Sequence, residues 1–196
     1  MVSYARLRTR NQITMAMLTL LKTHRIENIE VTQICEAAFI KRSTFYRYFH
    51  DKIDLSEAVL DKLLENWQND GQEEHTAAEI ADFFMDNYDV LSHLRVDPNS
   101  RHYAETQRIL QNWLMTHITA ETESAPAVIY KIRRAHDPML LSVFLLEGVF
   151  GVLAQANLSN QRDRLRVKAF LVEVVERIDQ SSRWLVVELT SFSIIV

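Results

Sequence analysis

The 196-residue sequence is poor in residues that interrupt or cross-link a chain, with three glycines, three prolines and one cysteine, Cys35. So few helix-breaking residues favour an all-α fold with short connections over a β fold. A single cysteine excludes a disulfide framework within the chain and is typical of the reducing cytoplasm, which is the location we expect. Isolated cysteines are usually buried and inert, so we predict that Cys35 is a core residue.

The sequence also lacks the motifs of common catalytic and metal sites. Its seven histidines are scattered, and there is no His-x-x-x-His or Cys-x-x-Cys pair, no Gly-rich phosphate loop and no Gly-x-Ser-x-Gly turn. No basic segment followed by an apolar run opens the chain, so we expect no secretory signal. We therefore predict that the protein is not an enzyme and has no cofactor or metal.

Charge is distributed unevenly along the chain, whose net charge is −4. Residues 1–56 contain nine Lys or Arg and five Asp or Glu, whereas residues 57–196 contain thirteen and twenty-one. A basic first quarter indicates a surface for nucleic acid at one end of the protein. Within it, Arg6, Arg8 and Arg10 form either a solvated terminus or a basic arm for phosphates or the minor groove.

Two short helices with a tight turn between them are predicted within residues 32–55. The first covers about Thr32 to Ala38, and the second begins at Ser43 or the residue before it and ends near His50. Phe45 and Phe49 share one face of the second helix because they are four residues apart, and we predict that this face is buried. Residues predicted to face inward from the first helix are Ile34, Ala37 and Ala38.

The opposite face of the second helix is rich in hydrogen-bond donors. A short helix with an apolar underside and a cationic, hydroxyl-bearing outer face suits the major groove of DNA. Its donors are Lys41, Arg42, Ser43, Thr44, Tyr46 and Arg47.

The segment from Arg42 to Leu55, RSTFYRYFHDKIDL, resembles the helix-turn-helix signature of the TetR family of bacterial transcriptional regulators. The pattern before it is also similar, with Thr9-Arg10 and then apolar positions at Ile13, Ala16 and Leu20. The resemblance covers about fifty residues. It implies an N-terminal three-helix DNA-binding head over residues 1–54 and a larger helical effector-binding and dimerisation domain over residues 55–183. Residues 184–196 are an apolar tail to which we assign no role.

The resemblance also implies roles for individual residues. Arg42, Ser43, Thr44 and Arg47 are expected to contact base edges and nearby phosphates, and Lys41 a phosphate at the start of the helix. Tyr46 and Lys52 match the Tyr and Lys with which the family binds phosphates. The sequence departs from the family pattern at three turn positions, which are Arg25 and Phe39 in place of glycine and Glu30 in place of a Thr cap.

These departures predict altered turns, because a residue other than glycine is strained at positive φ. Thr32 is then expected to cap the first motif helix in place of Glu30.

Four further helices are predicted with some detail in the rest of the chain. One runs from Ile53 or Asp54, with Asp54 as its cap, to about Asn69, and one spans Ile80 to Leu91. Another spans Tyr103 to Ile118, and the last runs from Arg162 to about Asp179. A shorter helix is predicted over residues 127–135.

Residues 139–158 carry Glu147 as their only charged residue. A membrane span is the alternative interpretation, but such a span needs about 20 apolar residues without a central carboxylate. A helix that is apolar all round is more often buried in an interior or a subunit interface. The resemblance implies a homodimer whose two terminal helices build the interface. The interface candidates are Glu147, Gly148, Gly151, Phe170 and Val174.

The family binds small-molecule effectors inside the larger domain, which implies a largely apolar pocket with a few polar groups. The alternative for each residue is plain core packing. The candidates on inward-facing stripes are Phe84, Tyr88, Tyr103, Trp113, His117 and Phe144.

The resemblance therefore implies a TetR-like repressor that binds a palindromic double-stranded DNA operator as a dimer and is released by a small-molecule effector. The alternative is a TetR-like protein that works mainly through a protein partner, with DNA binding secondary or lost.

Overall fold

A computed structural model describes residues 4–68, 76–96, 99–100, 103–119 and 132–180. Regular structure in these residues is helical throughout, which confirms the predicted all-α class. A 3-10 turn at Ile26–Asn28 follows the first helix. The α-helices are α1 Tyr4–Leu21, α2 Val31–Ala37, α3 Arg42–Tyr48, α4 Lys52–Gln68, α5 Ala77–Asp86, α6 Tyr88–Leu94, α7 Tyr103–Thr119, α8 Pro138–Ala154 and α9 Gln161–Gln180.

The chain forms two compact units, and the first comprises the described residues of Met1–Gln72 and Asn87–Trp113. In this unit α1 packs against α2, α4 and α6, and α2 packs against α3. The boundary predicted after residue 54 falls inside this unit, because α4 and α6 both pack on α1. Its largest fully buried side chains are Ile13, Met17, Leu21, Ile26, Ile29, Ile34, Phe45, Leu55, Val59 and Leu94.

The two motif helices form close to their predicted limits. Phe49 is buried as predicted but lies just outside α3, because its backbone is extended with φ −140° and ψ 138°. On α2, Ile34 and Ala38 are buried as predicted. The prediction that Ala37 faces inward is wrong, since Ala37 is exposed and Cys35 occupies the buried position instead. The prediction that Cys35 is a core residue is confirmed.

The cap of α4 differs from the predicted one. Asp51, rather than Asp54, caps α4, because its Oδ1 accepts hydrogen bonds from Ile53 N at 2.7 Å and Asp54 N at 2.9 Å. The Asp54 carboxylate reaches back instead and accepts from His50 N at 2.8 Å. Arg6, Arg8 and Arg10 lie on α1, which begins at Tyr4, and all three are exposed.

The helix predicted over Ile80–Leu91 is two helices, because the backbone leaves helical geometry at Asn87, with φ −104° and ψ 9°. In the chain α5 precedes this residue and α6 follows it, and the two helices belong to different compact units. The predicted short helix falls mainly outside the described residues, and the 184–196 tail falls wholly outside them.

The second unit comprises the described residues of Glu73–Asp86 and Leu114–Val196. In it α9 packs against α5 and α8. Lys168 Nζ on α9 lies 2.5 Å from Asp82 Oδ2 on α5, and Arg164 pairs with Asp86 one turn away. Both ion pairs join α9 to α5. The apolar cluster around Ile132 contains Ile80, Leu114, Leu141, Leu145, Val175 and Ile178.

The apolar segment predicted within residues 139–158 becomes α8, with Pro138 in its first turn and Asp137 as cap. The Asp137 Oδ1 accepts a hydrogen bond from Leu140 N at 2.9 Å. In the part of the chain that the structure describes, no helix combines the length and apolar character needed to cross a membrane.

The cap of α4 gives a stability prediction. Asp51→Ala should lower the free energy of unfolding by about 0.5–2 kcal/mol, because it removes the acceptor for two backbone N–H groups. Thermal and denaturant unfolding would measure the loss. Glu57→Ala on the same helix is the control, since Glu57 makes no hydrogen bond or ion pair within the described residues. Equal stabilities of the two variants would contradict the capping role.

Candidate nucleic-acid interface

The short helix α3 is held by its buried underside. The side chain of Phe45 has no exposed surface, and its ring centroid lies 6.0 Å from that of Phe49. The Arg10 guanidinium of α1 lies over the Phe49 ring at 5.2 Å, a cation–π distance. The predicted buried face is therefore confirmed, and the opposite face of α3 points away from the core.

The outer face of α3 carries side chains without internal partners. Among the described residues, none hydrogen-bonds or ion-pairs with the side chains of Lys41, Ser43, Thr44 or Arg47. Lys41, Ser43 and Arg47 are exposed, and Thr44 is half-buried. Their donors are available to a ligand, and no internal bond has to be broken first.

Arg42 and Tyr46 form a pair on this face. Arg42 Nη2 donates to the Tyr46 hydroxyl at 3.0 Å, and the guanidinium lies 5.5 Å from the centre of the ring. Tyr46 in turn meets Phe45 edge to face, with centroids 5.4 Å apart. The pair restricts the rotamers of both side chains while leaving most guanidinium donors unoccupied.

Lys52 has a different environment from the other predicted DNA-binding residues. Its Nζ donates to Glu27 O at 3.0 Å and to Ile29 O at 2.8 Å, in the segment between α1 and α2. Burial lowers the pKa of Lys52, and the nearby carboxylates of Glu27, Glu30 and Asp51 oppose that shift. Two of its three N–H groups thus fasten the start of α4 to this segment. The contact between Lys52 and a DNA phosphate stays a prediction, and it would use the third N–H group of the ammonium.

The turn between α2 and α3 keeps positive φ despite the loss of glycine. Phe39 has φ 52°, and its side chain is 91% exposed. A left-handed conformation costs about 1–2 kcal/mol for a residue with a Cβ atom. The replaced glycines therefore have different effects in the two turns, because Arg25, after α1, is extended with φ −67° and ψ 144°.

The start of α2 also differs from the prediction, since Glu30 remains at the cap position and Thr32 lies inside the helix. The side-chain oxygen of Gln33 accepts a hydrogen bond from Glu30 N at 2.7 Å. The Thr32 hydroxyl donates to the Glu30 carboxylate at 3.1 Å. The hydrogen bond to Gln33 therefore holds the cap residue Glu30 at the start of α2. The sequence pattern did not indicate this role for Gln33.

Cys35 lies beneath the same surface. Burial raises the pKa of its thiol, the Arg42 guanidinium lowers it and the Glu36 carboxylate raises it. A thiol with a raised pKa holds its proton at neutral pH, which fits a packing residue rather than a nucleophile.

Long-range contacts that the sequence did not reveal position the head. Gln12 Nε2 on α1 donates to Ala38 O at 2.6 Å, which anchors the turn before α3. His93 Nδ1 on α6 lies 2.7 Å from Leu21 O at the end of α1. Arg25 Nη2 donates to Arg95 O at 3.0 Å. No local motif signals these bonds, because their partners are 26 to 72 residues apart.

The six effector candidates are divided between the two units. Tyr88, Tyr103 and Trp113 lie in the first unit and are half-buried. Trp113 Nε1 donates to Asp61 Oδ1 at 2.8 Å and so joins α7 to α4. In the second unit, Phe84 and His117 are half-buried. The expectation that Phe144 faces inward is wrong, because its side chain is 73% exposed.

The dimer candidates lie on the outer faces of α8 and α9. Glu147, Gly148, Gly151 and Phe170 are exposed, and Val174 is half-buried. A Cβ atom built on either glycine would meet no atom within 4 Å. Exposed apolar side chains accompany them, which are Leu140, Phe144 and Leu165.

No family model matches the chain, and no curated protein matches it. Among solved structures it is similar to a TetR transcriptional regulator from Rhodococcus sp. RHA1, with 11% sequence identity. That similarity covers 87% of this chain and 96% of the other, with a TM-score of 0.49. So distant a likeness assigns no function, and the residues of the site have to carry the functional argument.

Lys52 gives a prediction with a defined pH dependence. Lys52→Met should destabilise the protein by about 1–3 kcal/mol at neutral pH, because two part-buried carbonyls lose their donor. The folded-state pKa of Lys52 is lowered, so the unfolded chain keeps the proton to higher pH than the folded protein does. The difference in the free energy of unfolding between the wild type and Lys52→Met should therefore increase as the pH rises from the folded-state pKa of Lys52 to the ordinary lysine pKa.

Denaturant titrations at neutral and alkaline pH would measure both effects. Lys62→Met is the control, since Lys62 on the same helix forms a surface pair with Glu65, which contributes little. A Lys52→Met protein as stable as this control would contradict the fastening role.

Proposed function

We propose that this protein is a DNA-binding transcriptional regulator resembling the TetR family. In this proposal it binds a two-fold-symmetric operator as a homodimer and is released by a small-molecule effector. The observation that carries the proposal is the outer face of α3. Within the described residues, the side chains of Lys41, Ser43, Thr44 and Arg47 have no internal partners, and Arg42 bonds only with Tyr46 on the same face. Phe45 and the contacts of the preceding turn fix the helix beneath them.

The chemistry of this face matches the two kinds of contact that a duplex offers. An arginine that binds guanine O6 and N7 provides about 1–3 kcal/mol of discrimination. Arg47 is the clearest candidate for base reading, because it is exposed on α3 and unpaired within the described residues. Lys41 and the Arg42–Tyr46 pair suit phosphates, which position a protein without reading sequence.

A second copy of the chain suits the exposed apolar stripe of α8. Leu140, Phe144, Gly148 and Gly151 recur at three- and four-residue spacing and lie on the outside of the helix. Because the two glycines have open space above them, a partner helix can approach closely. Two identical heads joined in this way would contact two half-sites related by a two-fold axis.

Effector release requires a ligand to favour one arrangement of the helices that hold the head. α6 carries the effector candidate Tyr88 and is joined to the end of α1 through His93. α7 carries Tyr103 and Trp113, and Trp113 is joined to α4 through Asp61. A ligand that displaces α6 or α7 would therefore act on the two helices that adjoin the motif.

Arg47 gives the test of DNA reading. A duplex selected from a random pool by the wild-type protein should lose affinity for Arg47→Ala, and the preference at one base pair should relax by about five- to 150-fold. Gel-shift titrations at several salt concentrations would measure affinity and specificity together. Lys22→Ala is the control, because Lys22 is an exposed cation of the same unit that lies outside α3.

Failure of the wild type to select any sequence would contradict operator binding and favour function through a protein partner. Equal preferences of Arg47→Ala and wild type would instead remove Arg47 from the reading surface.

The glycines of α8 give the test of dimerisation. Gly151→Glu should shift the protein from dimer to monomer, because it places a charge and added bulk where the partner helix is expected. The fold of the single chain should persist, since the site is open and Gly is the poorer helix former. Sedimentation and circular dichroism would measure the two properties. Ala104→Glu, at an exposed position of α7, is the matched control, and an unchanged dimer in Gly151→Glu would contradict this interface.

A further inference from the structure

Phe39 is an exposed aromatic residue in a conformation that favours glycine. Its φ is 52°, and it is the non-glycine residue with positive φ in the described part of the chain. Its side chain is 91% exposed, and no described residue makes a ring or cation–π contact with it. The residue therefore strains the turn and contributes no packing in return.

The backbone of the turn is fixed from both sides, which sets the direction in which the Phe39 side chain leaves it. Phe39 N donates to Glu36 O at 3.1 Å, and Ile40 N donates to Cys35 O at 2.9 Å. The carbonyl of the buried Ala38 accepts from Gln12 on α1 at 2.6 Å. Strained residues that the surrounding structure holds in place cluster at binding sites.

The location of the turn indicates what the ring meets. Phe39 lies two residues before Lys41, the residue that precedes α3, and the cations of Lys41 and Arg42 are exposed beside it in the chain. In helix-turn-helix proteins the N-terminal residues of the second helix contact base edges. A polyanion attracted by these cations would thus reach the turn as well as α3.

We propose that Phe39 contacts the bound duplex and packs its ring against a thymine methyl group at the edge of the groove that α3 enters. The inference rests on the proposed DNA-binding function and adds a residue to it. An apolar ring makes this kind of contact because the thymine C5 methyl is the apolar feature of the major-groove edge. Phe39 would then contribute sequence preference without a hydrogen bond.

The test compares Phe39→Asn with the wild type on a duplex that the wild type selects from a random pool. Asn tolerates positive φ better than Phe, so the variant should be at least as stable in thermal unfolding. Its affinity should nevertheless fall by about fourfold for each methyl group that the ring buries. Met15→Gln removes another exposed apolar side chain from the same unit and should leave affinity unchanged.

A second duplex, with deoxyuridine in place of thymidine, removes the methyl groups. The wild type should lose affinity on this duplex by the same factor, whereas Phe39→Asn should bind both duplexes with closer affinities. Equal affinities of wild type and variant for the thymidine duplex would overturn the proposal, and so would the same methyl dependence in both proteins. A wild type that selects no duplex at all would instead mean that the proposed function has failed.

Discussion

Burial of the Phe45 side chain is the constraint on which the rest of the candidate interface depends. A helix of two turns is unstable by itself, because nucleation fixes several backbone angles for each hydrogen bond gained. α3 therefore exists because its underside is held within the head, where α2 packs against it and α1 packs against α2. Because that face is buried, the polar face of α3 points to solvent, and its cations and hydroxyls lie together on the surface.

The supporting contacts around α3 each restrain a different boundary of the motif. Gln12 holds the turn before the helix, Lys52 fastens the start of α4 to the segment before α2, and Asp51 caps α4. The ammonium of Lys52 and the left-handed Phe39 both carry an energetic cost. Stability elsewhere in the head offsets these costs, and the core of buried isoleucine and leucine side chains provides it.

The fold class and most of the motif could be predicted from sequence, because helical periodicity and turn chemistry are local. Phe45, Phe49 and Cys35 are buried as their spacing or composition indicates. The errors fall where tertiary contacts compete with local rules. Gln12 and the hydrogen bonds of the turn hold Phe39 at positive φ. Phe144 is exposed on α8, a helix in which Glu147 is the only charged residue.

The sequence by itself determined which residues can form an amphipathic recognition helix and where basic charge collects, since periodicity and charge are properties of neighbours in the chain. Tertiary structure alone decided that Lys52 donates to Glu27 and Ile29, that Trp113 reaches Asp61 and that His93 meets the end of α1. These partners are separated by 23 to 72 residues, so no local preference encodes them. They form only when burial of the apolar faces brings the helices together.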